Sequence, residues 1–151
     1  MPMTPGACDL CRDDGGRVVA RGADWRVVLV DEADYPGYVR VIWNAHVREM
    51  SDLAAAQRDA LMGAVWAVEA AQRRILAPLK INLASLGNVV PHLHWHLIPR
   101  FAEDAHFPQP IWGTRQRPAD AQLLAARRAL EPRLVAAIVA GLDPAADATR
   151  R

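Results

Sequence analysis

Three of the protein's five histidines stand at alternate positions in the run His92-Leu93-His94-Trp95-His96. On an extended strand, residues two apart point to the same side, so His92, His94 and His96 share one face while Leu93, Trp95 and Leu97 share the other. The Leu-Trp-Leu face suits a core, where full burial of each side chain contributes roughly 1.5–3 kcal/mol. The imidazoles gain nothing for folding, because each ring nitrogen needs a partner wherever it is buried. Two kinds of chemistry then compete for them: a metal nest, since neutral imidazole is a common metal ligand, and a nucleophile with acid and base helpers. Spacing alone leaves both open. The following Leu97-Ile98-Pro99-Arg100 brings neither the carboxylate nor the further histidine that a catalytic metal centre would usually have nearby.

The two cysteines form a second constellation, Cys8-Asp9-Leu10-Cys11, with the spacing of a zinc hook but only half of its ligands. They lie too close together to staple distant parts of a secreted fold, which points to a reduced, metal-binding or idle pair.

The elements that must position these residues follow from local pattern. Residues 25–30 (Trp-Arg-Val-Val-Leu-Val) and 38–43 (Tyr-Val-Arg-Val-Ile-Trp) are β-branched and aromatic, with turn formers between them, and predict two neighbouring antiparallel strands. Residues 51–77 predict a long helix that Ser51 caps, with Leu61, Val65, Val68, Ala71 and Ile75 at helical spacing and Pro78 beyond its end. Residues 81–86 predict a third strand, Gly87-Asn88 a turn, and residues 93–98 a fourth strand ended by Pro99. A C-terminal helix is expected at about 119–140, kinked or divided by Pro132, and a frayed tail at 142–151 in which Asp143-Pro144 blocks helix continuation. The fold class is therefore α+β: an antiparallel sheet of about five strands, with a long central helix and a C-terminal helix covering one face.

The 151 residues, 52% of them hydrophobic and 23% charged, are expected to form one domain over 1–151 with a core at about 8–112. With 18 basic and 17 acidic residues, the chain lacks the cationic excess of a nucleic-acid-coating protein, so no nucleic-acid partner is expected, whereas a mononucleotide needs little charge. Neither a secretory leader nor a membrane-spanning window is visible, which predicts a cytoplasmic protein without a membrane partner.

The segment from Asn82 to Arg100 resembles the signature of the histidine triad, or HIT, family: His92-Leu93-His94-Trp95-His96-Leu97-Ile98 matches all seven motif positions. Upstream, Pro36-Gly37-Tyr38-Val39-Arg40-Val41-Ile42-Trp43-Asn44-Ala45-His46 resembles the family's glycine-led strand, and Ser51-Asp52-Leu53 the start of its central helix. The resemblance spans roughly residues 8 to 100. It implies a nucleotide hydrolase or transferase acting at the α-phosphate, on dinucleoside polyphosphates or nucleoside phosphoramidates. By that resemblance His94 attacks phosphorus and carries the nucleotidyl group, His96 assists the leaving group, and His92 orients the cluster. It further implies nucleotide contacts from Asp31, Asn82 and Asn88, the last standing where the family often has glutamine. It implies a structural zinc on Cys8, Cys11, His46 and His92, an adenine nucleotide as ligand, and a homodimer. Arg100 is a further phosphate-ligand candidate, and residues 101–112 either line the substrate mouth or pack as an ordered loop. Two other classes stay open beside this one: a nucleotide-binding or regulatory module without turnover, and a metal-dependent enzyme that uses the triad as ligands.

Overall fold

The computed structural model describes residues 5–143; of the expected frayed tail, positions 144–151 lie outside the described residues. Five strands, β1 (Arg17–Arg21), β2 (Trp25–Leu29), β3 (Val39–Trp43), β4 (Lys80–Ala84) and β5 (His94–Arg100), form one antiparallel sheet in the order β1-β2-β3-β5-β4. The helices are α1 (Asp9–Arg12), α2 (Ala55–Leu76), α3 (Ala121–Arg128) and α4 (Glu131–Leu142). This is the α+β class the sequence predicts. The fifth strand is β1, whose Val18-Val19-Ala20 lies between the glycines Gly15-Gly16 and Gly22 and pairs with β2 through a bulge at Val18/Ala20.

Alternation along the strands divides the sheet into two chemically distinct sides. Val39, Val41 and Trp43 of β3, together with Leu97 of β5, pack with Leu61, Val65 and Val68 of α2 and with Leu134 and Ile138 of α4 in the main core. Trp95 is half-buried against the same core. The opposite side carries Arg26, Val28, Arg40, Ile42, His94 and His96, set together by the register pairs Val28↔Arg40, Arg40↔His96 and Ile42↔His94. Among the described residues no long helix covers it. At one end Cys8 and Leu10 of the N-terminal hook pack on Val28 and Ile42, and at the other Ile111 packs on Tyr35, Tyr38 and Ile98.

Three expected boundaries move. Ser51 does not cap the long helix; it lies in a 3-10 turn, Met50–Asp52, which ends where Leu53 is drawn into the core in extended conformation. Helix α2 starts at Ala55 instead, with the Ala54 N–H donating to the Gln57 side chain at 2.9 Å. Pro99 does not end the histidine strand: β5 runs on to Arg100, pairing Ile81↔Pro99 with β4. Pairing with β3 has stopped at Val39↔Leu97, so Pro99 needs no donor on that side. The C-terminal helix is divided, as expected; Pro132 sits in the first turn of α4, where its missing N–H costs nothing, α3 begins at Ala121 because Asp120 caps it, and α4 runs on to Leu142, the first residue of the expected tail. Among the described residues no helix is long and apolar enough to cross a membrane.

Candidate active site

The triad is split between two sites rather than gathered in one. His94 and His96 open into a cavity of about 870 Å³, ample for a nucleotide, whose walls are the N-terminal hook (Asp9, Leu10, Asp13), the loop at 86–90 and Trp112. His92 precedes β5 in a bend and turns towards the cysteines.

Geometry fixes the proton on two of these rings. A carbonyl oxygen can only accept, so His94 Nδ1 donates to the His92 carbonyl at 2.5 Å, leaving the Nε2 lone pair unprotonated. Burial, helped by the nearby Arg40 charge, lowers the His94 pKa against the raising effect of that hydrogen bond, and favours the neutral ring. His92 Nε2 likewise donates to the Trp43 carbonyl at 2.6 Å, which leaves its Nδ1 as an acceptor. His96 Nδ1 is hydrogen-bonded to the Tyr38 hydroxyl. Burial first, then the His94 and Arg40 charges, push the His96 pKa down to about 3. Burial pushes the Tyr38 phenol up, so it stays protonated beside that ring. The His94 and His96 rings meet edge to face at 4.7 Å, and Trp112, half in solvent, meets His96 the same way at 5.0 Å.

Cys8, Cys11, His46 and His92 bring one ligand atom each to within 4.8 Å of one another. The thiol sulfurs lie 3.5 Å (Cys8) and 3.5 Å (Cys11) from His92 Nδ1, and 3.3 Å (Cys11) from His46 Nδ1. A tetrahedron with Zn–S near 2.3 Å and Zn–N near 2.0–2.1 Å has S···N edges of about 3.5 Å, so the donor set fits zinc in both chemistry and spacing. Among the described residues this is the group gathered for a metal, and His94 and His96 stand outside it.

The other expected site residues scatter. Asn88 lines the cavity. Asn82 shares the histidine side of the sheet through its pairing with Ile98 but lies off the cavity, where it accepts from Arg100 at 2.7 Å. Asp31 is fully exposed, off the cavity, 3.9 Å from Arg128. Arg100 neither lines the cavity nor faces water: it is 2% exposed, pairs with Asp104 through both Nε (2.8 Å) and Nη2 (3.0 Å), and donates to the Gln109 carbonyl. That buried pair anchors the 101–117 loop, which buries Asp104 and Ala105, brings Trp112 to the mouth and leaves most of its other residues exposed. Sequence reasoning missed Arg40 and Tyr38. The available signal is positional, a guanidinium between Val39 and Val41 on the same strand face that β5 fills with histidines.

The HIT domain family model matches residues 15–103. An AP-4-A phosphorylase of Mycobacterium tuberculosis is 31% identical over 112 residues, covering 70% of this chain and 57% of the relative, so the chain spans little more than half the length of the curated relatives it matches. A histidine triad protein of Bradyrhizobium japonicum superimposes with a TM-score of 0.65 at 30% identity, over 81% of this chain and 92% of that one. A zinc-bound histidine triad family protein of Mycobacterium smegmatis superimposes with a TM-score of 0.55 at 21% identity, over 89% and 99%.

Proposed function

Since the chain belongs to the HIT domain family, we propose that it is a nucleotidyl hydrolase or transferase in which His94 Nε2 attacks the α-phosphate of an adenine nucleotide. The observation that carries this reading is the His94 Nδ1–His92 carbonyl bond, which leaves a neutral, unprotonated Nε2 beside the cavity that His96 and Asn88 also line. In the first step a P–N bond forms to Nε2 as the P–O or P–N bond to the leaving group breaks. The phenol of Tyr38, donating to His96 Nδ1, leaves His96 with its proton on Nε2, placed to hydrogen-bond the bridging atom. Asn88, which lines the cavity, would donate to a phosphate oxygen. In the second step an acceptor oxygen attacks phosphorus and the bond to His94 breaks. Water would release AMP; the name of the Mycobacterium tuberculosis relative makes inorganic phosphate, which would release ADP, a second acceptor to test. Cys8, Cys11, His46 and His92 would hold a zinc ion, whose contribution is structural: it would pin α1 to the sheet and hold the His92 backbone that orients His94. The same family membership leads us to place the protein in the cytoplasm as a homodimer, a state that light scattering of the purified chain reads directly.

The experiment is release of AMP, or of ADP when phosphate is added, from a diadenosine polyphosphate and from an adenosine phosphoramidate. Wild type and a folded His94→Ala variant are compared. We expect release by the wild type and its loss, by several orders of magnitude, in the variant. Nucleotide binding without release by the wild type would replace this reading with that of a binding module.

A further inference from the structure

Arg40 is a cation in the cavity with unspent hydrogen-bonding capacity. It lies one cross-strand position from His96 on the same sheet face and lines the same cavity. Its Nη1 donates to the Gly15 carbonyl at 3.3 Å and its guanidinium carbon lies 5.6 Å from the Tyr38 ring centroid, but its Nε is buried without a partner. A buried donor left unpaired costs about 1–3 kcal/mol and calls for an explanation. Among the described residues no carboxylate pairs with it. The cavity's other charges are engaged close to hand: Arg12 with Asp9, and Asp13 with the Gly15 N–H.

Resting on the reading of His94 as nucleophile, we propose that Arg40 binds phosphate oxygens of the leaving group. The site would thereby favour substrates whose scissile phosphorus carries a further phosphate chain over those that expel an amine. When an α–β phosphoanhydride breaks, its bridging oxygen takes the electron pair and the departing chain gains negative charge; when a phosphoramidate P–N bond breaks, the nitrogen takes the pair and leaves as a neutral amine once protonated. His96, neutral in its buried setting, can donate a hydrogen bond to either leaving atom but brings no positive charge. A guanidinium next to it, permanently charged and able to grip two oxygens, makes the difference for the anionic chain alone.

The test compares kcat/KM of the full chain on diadenosine tetraphosphate and on adenosine 5′-phosphoramidate, for wild type, Arg40→Met and Arg40→Lys. Loss of a charge-assisted contact should lower the tetraphosphate-to-phosphoramidate ratio about tenfold or more in Arg40→Met, with part of that ratio restored in Arg40→Lys. An equal fall on both substrates, as a purely structural arginine would give, overturns the proposal. A second measurement needs no turnover: calorimetric binding of inorganic tripolyphosphate, expected to weaken by a similar factor in Arg40→Met. If the wild type turns over neither substrate, the His94 reading fails by itself, and tripolyphosphate binding then decides Arg40, equal affinity in wild type and variant overturning it.

Discussion

Each imidazole of the triad owes its role to a different partner. His92 is held by a carbonyl and faces two thiols, His94 is held by the carbonyl of His92, and His96 is held by a phenol. Three residues of one type, equally spaced, thus acquire three chemistries from neighbours that the motif does not name. Tyr38 is the most exposed to test. Tyr38→Phe keeps the ring that packs on Ile98 and removes only the hydroxyl that fixes His96, so kcat should fall roughly tenfold with little change in KM. Steady-state kinetics on whichever substrate proves active would check this, and an unchanged kcat would detach Tyr38 from the orientation of His96. Arg100 teaches the converse. A strand-end arginine beside a catalytic motif invites a phosphate role, yet its carboxylate partner stands four residues on, and nothing in the local pattern announces that the pair is buried.

The short helix α1 shows what holds an element that propensity does not explain. Four residues with no side-chain cap are marginal alone. Arg26 donates to the carbonyls of Leu10, Asp13 and Asp14, and the cysteines meet His46 and His92. Removing zinc from the purified protein with a chelator should therefore raise amide exchange at residues 8–13 and 44–47 while β2 and β3 stay protected. Exchange that does not respond, or protein that carries no zinc, would leave Arg26 and the packing of Cys8 and Leu10 on Val28 and Ile42 as what holds α1. Most of the fold was legible because strands β2, β3 and β5 and helix α2 each repeat their apolar residues at the period of one face. The parts that were not legible depend on tertiary context. β1 is short and half-buried, Ser51 lost its capping role when Leu53 went into the core, and Pro99 is allowed because β3 has already stopped. Of the candidate site, the triad and the cysteine pair could be seen from residue type and spacing, whereas His46 and His92 joined the cysteines only through the family resemblance. Arg40 could not, because its significance lies in the register with His96 rather than in its neighbours along the chain.

For the molecule as a whole, the same burial that keeps the imidazoles neutral sets its response to acid. His94 and His96 lie below their ordinary 6.5 when folded, His96 at about 3, whereas an unfolded histidine takes up its proton near 6.5. Between those values the unfolded chain holds more protons than the folded one. Stability should hence fall as pH drops below about 6.5 and owe these groups no pH dependence above it. Urea midpoints from pH 8 to pH 5 measure this, and a flat profile would mean that the imidazoles charge in place. The Asp104 carboxyl, held low by Arg100 despite its burial, adds its own loss only at more acidic pH. The division of the sheet, with core on one side and chemistry on the other, bears on how the gene can change. Along β5 the two sides are interleaved residue by residue, so substitutions at odd and even positions are felt separately, one set by the core and the other by the opposite face, where His94 and His96 line the cavity. Loss of a single codon within the strand would instead slip the register downstream of it by one, turning histidine inward and leucine outward. The lineage can therefore explore β5 by replacement but hardly by insertion or deletion, which should gather in the loops at 85–91 and 101–117.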